Sequence, residues 1–202
     1  QVDELEWIPS MVGPRIEYVD QVLPEVYPIY AATFEASLPE GGAELLQLFS
    51  KSYLKLNTAL AERAPWTLAH QDYRVENMLF GNAENDEVTV IDWQGIGRGP
   101  GVYDLAYLLG GSMETELRRE NERDLVVAYH TELCSNGVES YSLDSLWADY
   151  GFAHLIGGLA TSVFAGGTLD LNNERGKELI TMMSERHVTA ALDHGGTGQI
   201  PN

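Results

Sequence analysis

"HQDYRVENMLFG", residues 70–81, and "VIDWQ", residues 90–94, frame the part of the chain whose reading decides its fold. Three short apolar pieces surround the polar loop: "WTLA" at 66–69, "MLF" at 78–80 and "VTVI" at 88–91. Short apolar, partly β-branched runs bounded by Gly, Asn and Asp read as strands, and "GNAENDE" at 81–87 supplies the turn between the second and third. His70, Asp72 and Asn77 therefore fall on a loop between two strands, and Asp92 falls at the end of a third.

Outward from this β element the texture is helical. Upstream, the pattern predicts helices from Pro24 to about Ser37 and from Gly42 to about Arg63, where Leu45, Phe49, Tyr53, Leu56 and Leu60 recur at steps of three and four. Downstream of "GIGRGPG" at 95–101, helices are expected at 102–110, 113–135, 143–166 and 173–193. Ser112 is the expected cap of the second, Glu114 and Glu116 complement its dipole, and "NG" at 136 stops it. On the last, Leu179, Met183, His187 and Ala190 share a face. The fold class that follows is α+β, mostly helical, with a small β element carrying the loop.

Hydrophobic residues make up 44% of the 202, enough for one sizeable core, so residues 15–202 read as one unit. Residues 1–14, broken by Pro9, Gly13 and Pro14, read as a linker or the tail of a preceding lobe, and a chain opening at Gln1 is expected to be a piece of a longer protein. Twelve Lys and Arg stand against thirty-one Asp and Glu, a balance that repels a phosphate backbone, so no nucleic-acid partner is expected. One cysteine, Cys134, cannot form an internal disulfide, and a cytoplasmic setting is the default. Residues 150–169 lack Asp, Glu, Lys and Arg, but their five glycines and His154 suit a buried core helix better than a membrane span.

Phosphoryl transfer needs a carboxylate to orient the acceptor hydroxyl and take its proton, and oxygen ligands to hold Mg²⁺ on the nucleotide phosphates. Asp72, Asn77 and Asp92 supply that set. His70, Asp72 and Asn77 also match the spacing of a kinase catalytic loop, His-x-Asp with Asn five residues after the Asp.

"HQDYRVENMLFG", "VIDWQ" and "GPGVYDLAYLL" together resemble the aminoglycoside phosphotransferase and choline kinase group, including its ecdysteroid-kinase-like members, which share the protein-kinase fold. The resemblance covers His70 to Leu109 specifically and implies a kinase-like C-terminal lobe. It implies Asp72 as catalytic base, Asn77 and Asp92 as Mg²⁺ ligands on the ATP phosphates, His70 as support for the loop, and Asp104 as the helix-borne carboxylate that braces the loop backbone. Arg74 stands where protein kinases often place a Lys that meets the transferred phosphate, and Gln71 stands where the small-molecule kinases often have Gly.

Upstream of His70 there is no glycine-rich phosphate loop and no strand bearing a Lys of the "VAIK" kind, so an N-terminal lobe is expected to be missing and this chain alone to be inactive. The implied substrate is a small molecule with a hydroxyl, bound among the C-terminal helices, and the acidic balance is compatible with a cationic one. Two rival readings stand beside this: a lone kinase-like module that binds without transferring phosphate, and a metal-dependent phosphohydrolase. Arg98 reads as a solvated charge, His154 as a hydrogen-bonded core residue, and the Met182–Met183 pair as core filling. The spacings of His130, His154, His187 and His194 imply no zinc site. "GIGRGPG" lacks the last glycine of a dinucleotide loop.

Overall fold

The computed structural model describes residues 2–82, 85–170 and 172–201, and the fold is α+β and mostly helical. Helix α1 (Pro14–Phe34) is followed by α2 (Gly42–Phe49) and α3 (Tyr53–Arg63); strands β1 (Trp66–Ala69), β2 (Met78–Asn82), β3 (Asn85–Val90) and β4 (Gly97–Pro100) come next. Helices α4 (Val102–Ser112), α5 (Thr115–Ser135), α6 (Leu143–Ala153), α7 (Gly157–Thr168) and α8 (Glu174–Asp193) complete the chain. The centre of the turn expected within 81–87, residues 83–84, lies outside the described residues.

Helix α1 starts ten residues before the sequence pattern suggests, at Pro14, and runs through Pro24 and Pro28. A proline inside a helix removes an N–H and frees the carbonyl four residues back. Here both prolines are exposed, so water can satisfy the freed carbonyls, while Leu23, Val26, Tyr30 and Phe34 are buried on the other side. That buried side packs mainly on α7. A Cβ on Gly166 would lie 2.5 Å from Tyr30, and one on Gly167 would lie 2.2 Å from Val26, so the approach of the two helices depends on glycine there. Each fully buried side chain of this size contributes ~1.5–3 kcal/mol.

Two further boundaries differ from the pattern. The expected helix at 42–63 is two helices, although Leu45, Phe49, Tyr53, Leu56 and Leu60 are all buried as their period requires. The break is held from α1: Asp20 Oδ1 accepts the Leu54 N–H at 2.8 Å, doing for α3 what a local cap would do. The expected helix at 143–166 is broken at residues 154–156 into α6 and α7, with Ser142 Oγ capping α6 by accepting the Ser145 N–H at 3.1 Å. No described helix is long and apolar enough to cross a membrane.

Among the described residues the β element has four strands in two antiparallel pairs rather than three strands. β2 pairs with β3, placing Met78 opposite Val90, and β1 pairs with β4, placing Ala69 opposite Gly97. The overlooked strand is the glycine-rich "GRGP", whose composition hides it because its stability comes from backbone pairing on both edges. On its far edge Arg98 N–H donates to Pro9 O at 2.8 Å and Met11 N–H to Arg98 O at 2.9 Å. Residues 8–11 are thereby docked, with Ile8 and Met11 buried. Arg98 is not a solvated charge: its Nε–H donates to Ile8 O at 3.0 Å and its side chain is half-buried.

Candidate functional site

Everything at the loop follows from one backbone feature. Gln71 has φ +68°, in the left-handed region. This conformation aims two successive amides at the same point, and Asp104, in the first turn of α4, receives both: His70 N–H on Oδ2 at 2.6 Å and Gln71 N–H on Oδ1 at 2.9 Å. Burial pushes the Asp104 carboxyl above its ordinary range, and the two amide bonds oppose that push. Position 71 is where the small-molecule kinases often carry Gly, and the positive φ supplies the physical reason.

His70 is buried and locks the loop to the end of β3. Its Nε2–H donates to Ile91 O at 2.9 Å, its Nδ1 accepts the Asp72 N–H at 3.3 Å, and its ring lies 4.8 Å from that of Trp93. The two bonds are compatible with the tautomer that carries its proton on Nε2. Ile91 is held from the other side too, its N–H donating to Asn77 O at 2.9 Å. Asp92, the next residue, takes a left-handed conformation (φ 64°, ψ 55°) and is exposed.

Asp72 is where these supports converge. Asn77 Nδ2 donates to its backbone carbonyl at 2.9 Å and to its Oδ2 at 3.0 Å. Tyr107 O–H donates to Oδ1 at 3.1 Å, and Arg74 Nε lies 3.3 Å from the same oxygen, within ion-pair range but not aligned as a hydrogen bond. Tyr107 is also 3.2 Å from Thr161 Oγ1 on α7, and its ring packs 5.3 Å from His187 on α8. Burial, with the nearby Asp72 carboxylate, pushes the Tyr107 phenol well up, so it stays a donor. The His187 ring occupies a slot that only glycine leaves open: a Cβ on Gly158 would sit 2.0 Å from Nδ1. Burial holds His187 down at about 4, and it is neutral there.

The structure thus brings His70, Asp72, Arg74, Asn77 and Asp104 into direct contact and sets Asp92 alongside through Ile91. Asp72 and Arg74 line one wall of a cleft of about 580 Å³, faced by Thr161 and Ala165 from α7 and by Ile180 and Met183 from α8. An anchored carboxylate at the mouth of such a cleft can orient a hydroxyl and take a proton from it.

Four participants escaped the sequence reading. Tyr107 lies one helical turn after Asp104, a spacing that puts both on one face of α4, and that is the signal that would have found it. Thr161 carries no such signal. Arg15 of α1 donates to Gln71 Oε1 and lies 3.4 Å from Gly95 O. Ser112 does not cap α5, whose N-cap residue is Glu114; its Oγ instead accepts the Val75 N–H at 3.2 Å and ties the loop to the end of α4. A two-residue offset in where α5 starts decided between the two uses.

No curated protein and no solved structure matches the chain. A family model described as the ecdysteroid kinase-like family matches residues 13–138, which contain the loop, its brace and strands β1 to β4. By that match the chain belongs to the ecdysteroid kinase-like family.

Proposed function

We propose that this chain is the substrate-binding, catalytic-loop part of an ATP-dependent phosphotransferase that phosphorylates a hydroxyl of a small molecule. The observation that carries the reading is the Asp72 carboxylate, fixed by Asn77 and Tyr107 at the mouth of the cleft between the loop, α7 and α8. Asp72 Oδ1 is taken by Tyr107 and Arg74, so the freer lone pairs are on Oδ2. The acceptor hydroxyl donates there; as its oxygen attacks the γ-phosphorus, Asp72 Oδ2 takes the proton and the bond from the γ-phosphorus to its bridging oxygen breaks, releasing ADP. Arg74, beside the base, is placed to meet the charge on the transferred group.

The residues present fit Mg²⁺. Asn77 spends its amide NH₂ on Asp72, which leaves its side-chain carbonyl oxygen for a cation, and Asp92 offers an exposed carboxylate one residue past Ile91, whose N–H binds the Asn77 backbone carbonyl. Asn77 and Asp92 would hold the ion, which when bound neutralises the nucleotide phosphates. His70 and Asp104 keep the loop in register for both groups. The cleft lining of Ala165, Leu169, Leu179, Ile180 and Met183 favours an acceptor with an apolar body, while Asp170 at its edge is compatible with a cationic substituent. Residues 15–202 act as the C-terminal lobe, and the phosphate loop and Lys that clamp the nucleotide come from a further lobe.

The test is acceptor-dependent ADP formation by the full-length protein with Mg-ATP, against a panel of hydroxylated small molecules that includes an ecdysteroid. Asp72→Asn should lower kcat by about 10²-fold or more with the fold retained. Turnover undiminished by Asp72→Asn would remove the reading.

A further inference from the structure

The helical half of the molecule holds a second cluster of ligand-type side chains, remote in sequence from the loop. Glu122 of α5, His154 at the C-terminal end of α6 and His194 at the C-terminal end of α8 each present a ligand atom, and these atoms all lie within 4.8 Å of one another. We propose that Glu122, His154 and His194 form a binding site for a divalent cation of the Zn²⁺ kind, which fastens α5, α6 and α8 together.

His154 is the first argument. It is 2% exposed, and neither ring nitrogen has a hydrogen-bond partner among the described residues. A buried imidazole in an all-protein core is expected to be bonded, as leaving polar atoms unpaired costs ~1–3 kcal/mol each. Coordination through a lone pair would satisfy one of them. Burial, with the neighbouring His194, holds His154 well below its ordinary range, so the ring is neutral as a ligand must be.

Geometry is the second. The His154 and His194 ring centroids are 5.3 Å apart. Two imidazoles on adjacent corners of a tetrahedral zinc at ~2.0–2.1 Å have centroids about 5 Å apart, and ligand atoms within 4.8 Å of one another need draw in by at most about 1.5 Å. His194 Nε2 already faces the Glu122 carboxylate, 3.3 Å from each oxygen. Arg118 Nη1 at 2.6 Å and Tyr150 O–H at 2.9 Å both bind Glu122 Oε2, which orients the carboxylate and leaves Oε1 the freer oxygen. Burial raises the Glu122 pKa, yet the bonds from His194, Arg118 and Tyr150 outweigh that and keep it below its ordinary range, hence ionised.

Electrostatics is the third. The Arg118 guanidinium opposes a second cation, but it is shared with Asp193, and Arg119 is paired with Asp193 as well. Two helix C-termini, each the negative end of its dipole, converge on the cluster and favour positive charge between them. Two imidazoles and one carboxylate match the borderline preference of Zn²⁺ and not that of Mg²⁺.

The test uses the full-length protein, freed of metal by chelation and titrated with Zn²⁺ and, separately, Co²⁺. One equivalent of Zn²⁺ per chain should remain after desalting, and at about a hundredfold excess over Kd it should raise Tm by about 5 °C. Co²⁺ should give the intense visible bands of a four-coordinate site. His194→Gln, the least buried ligand and so the safest to change, should weaken Zn²⁺ binding at least tenfold with the circular dichroism unchanged, whereas Asp92→Ala should leave it intact. Zinc uptake equal in wild type and His194→Gln, or no uptake and no Tm shift in wild type, would overturn the proposal.

Discussion

Replacing Asp104 by Asn tests whether one carboxylate holds the loop. Its two oxygens accept His70 N–H at 2.6 Å and Gln71 N–H at 2.9 Å. Asn has a single carbonyl oxygen, so it keeps one amide and turns an NH₂ toward the other, which loses its acceptor. A hydrogen bond to a charged group contributes ~1.5–3 kcal/mol, and a buried N–H left unsatisfied costs ~1–3 kcal/mol. Burial is the largest influence on Asp104 and pushes its carboxyl pKa up, so removing the charge returns part of the loss. The balance at neutral pH is a net destabilisation of about 2 kcal/mol. For a chain of 202 residues that lowers Tm by about 4–8 °C. Urea denaturation followed by tryptophan fluorescence reads the midpoint, and amide hydrogen exchange reads His70 and Gln71 directly. An unchanged midpoint together with unchanged exchange at both amides would refute the bracing argument.

Tyr107→Phe deletes the donor to Asp72 Oδ1 and the contact with Thr161; in the full-length protein kcat should drop about tenfold with KM nearly constant, for a loss of about 1.4 kcal/mol in the transition state, and a kcat equal to wild type would show that Tyr107 does not position the base. At position 71, where φ is +68°, Gln→Gly should be neutral or stabilising by up to ~1 kcal/mol, while Gln→Val should cost ~2 kcal/mol; equal urea midpoints for the two variants would contradict the assigned backbone strain. Gly158→Ala should destabilise by about 3 kcal/mol, because a Cβ 2.0 Å from His187 Nδ1 forces a buried ring to move; a midpoint within error of wild type would mean the slot is looser than described.

The loop was legible because its chemistry is written in consecutive residues. His70, Asp72 and Asn77 sit two to seven positions apart, within the reach of one loop, and residue type plus spacing indicates what such a loop can do. Asp104 was legible only through the family resemblance of "GPGVYDLAYLL"; that it accepts two adjacent amides of the loop is what the structure adds. The buried faces of α3 and α8 were equally readable, apart from Leu179, which the fold leaves partly exposed. A helical period reports which side of a helix seeks cover, and reports nothing about what covers it.

Where helices begin and break, and what a polar side chain finds as a partner, are decided by packing between segments far apart in the chain. The sequence by itself determined the helical content, the strand-loop-strand setting and the order of the acidic and amide groups along it. Only the tertiary structure decided that Asp20 would start α3, that Pro9 and Met11 would pair with Arg98, that Tyr107 would reach Asp72, and that Glu122, His154 and His194 would meet from three helices. The physical reason is range: propensity and periodicity act over a few residues, whereas these contacts join positions that burial of a shared core brings together.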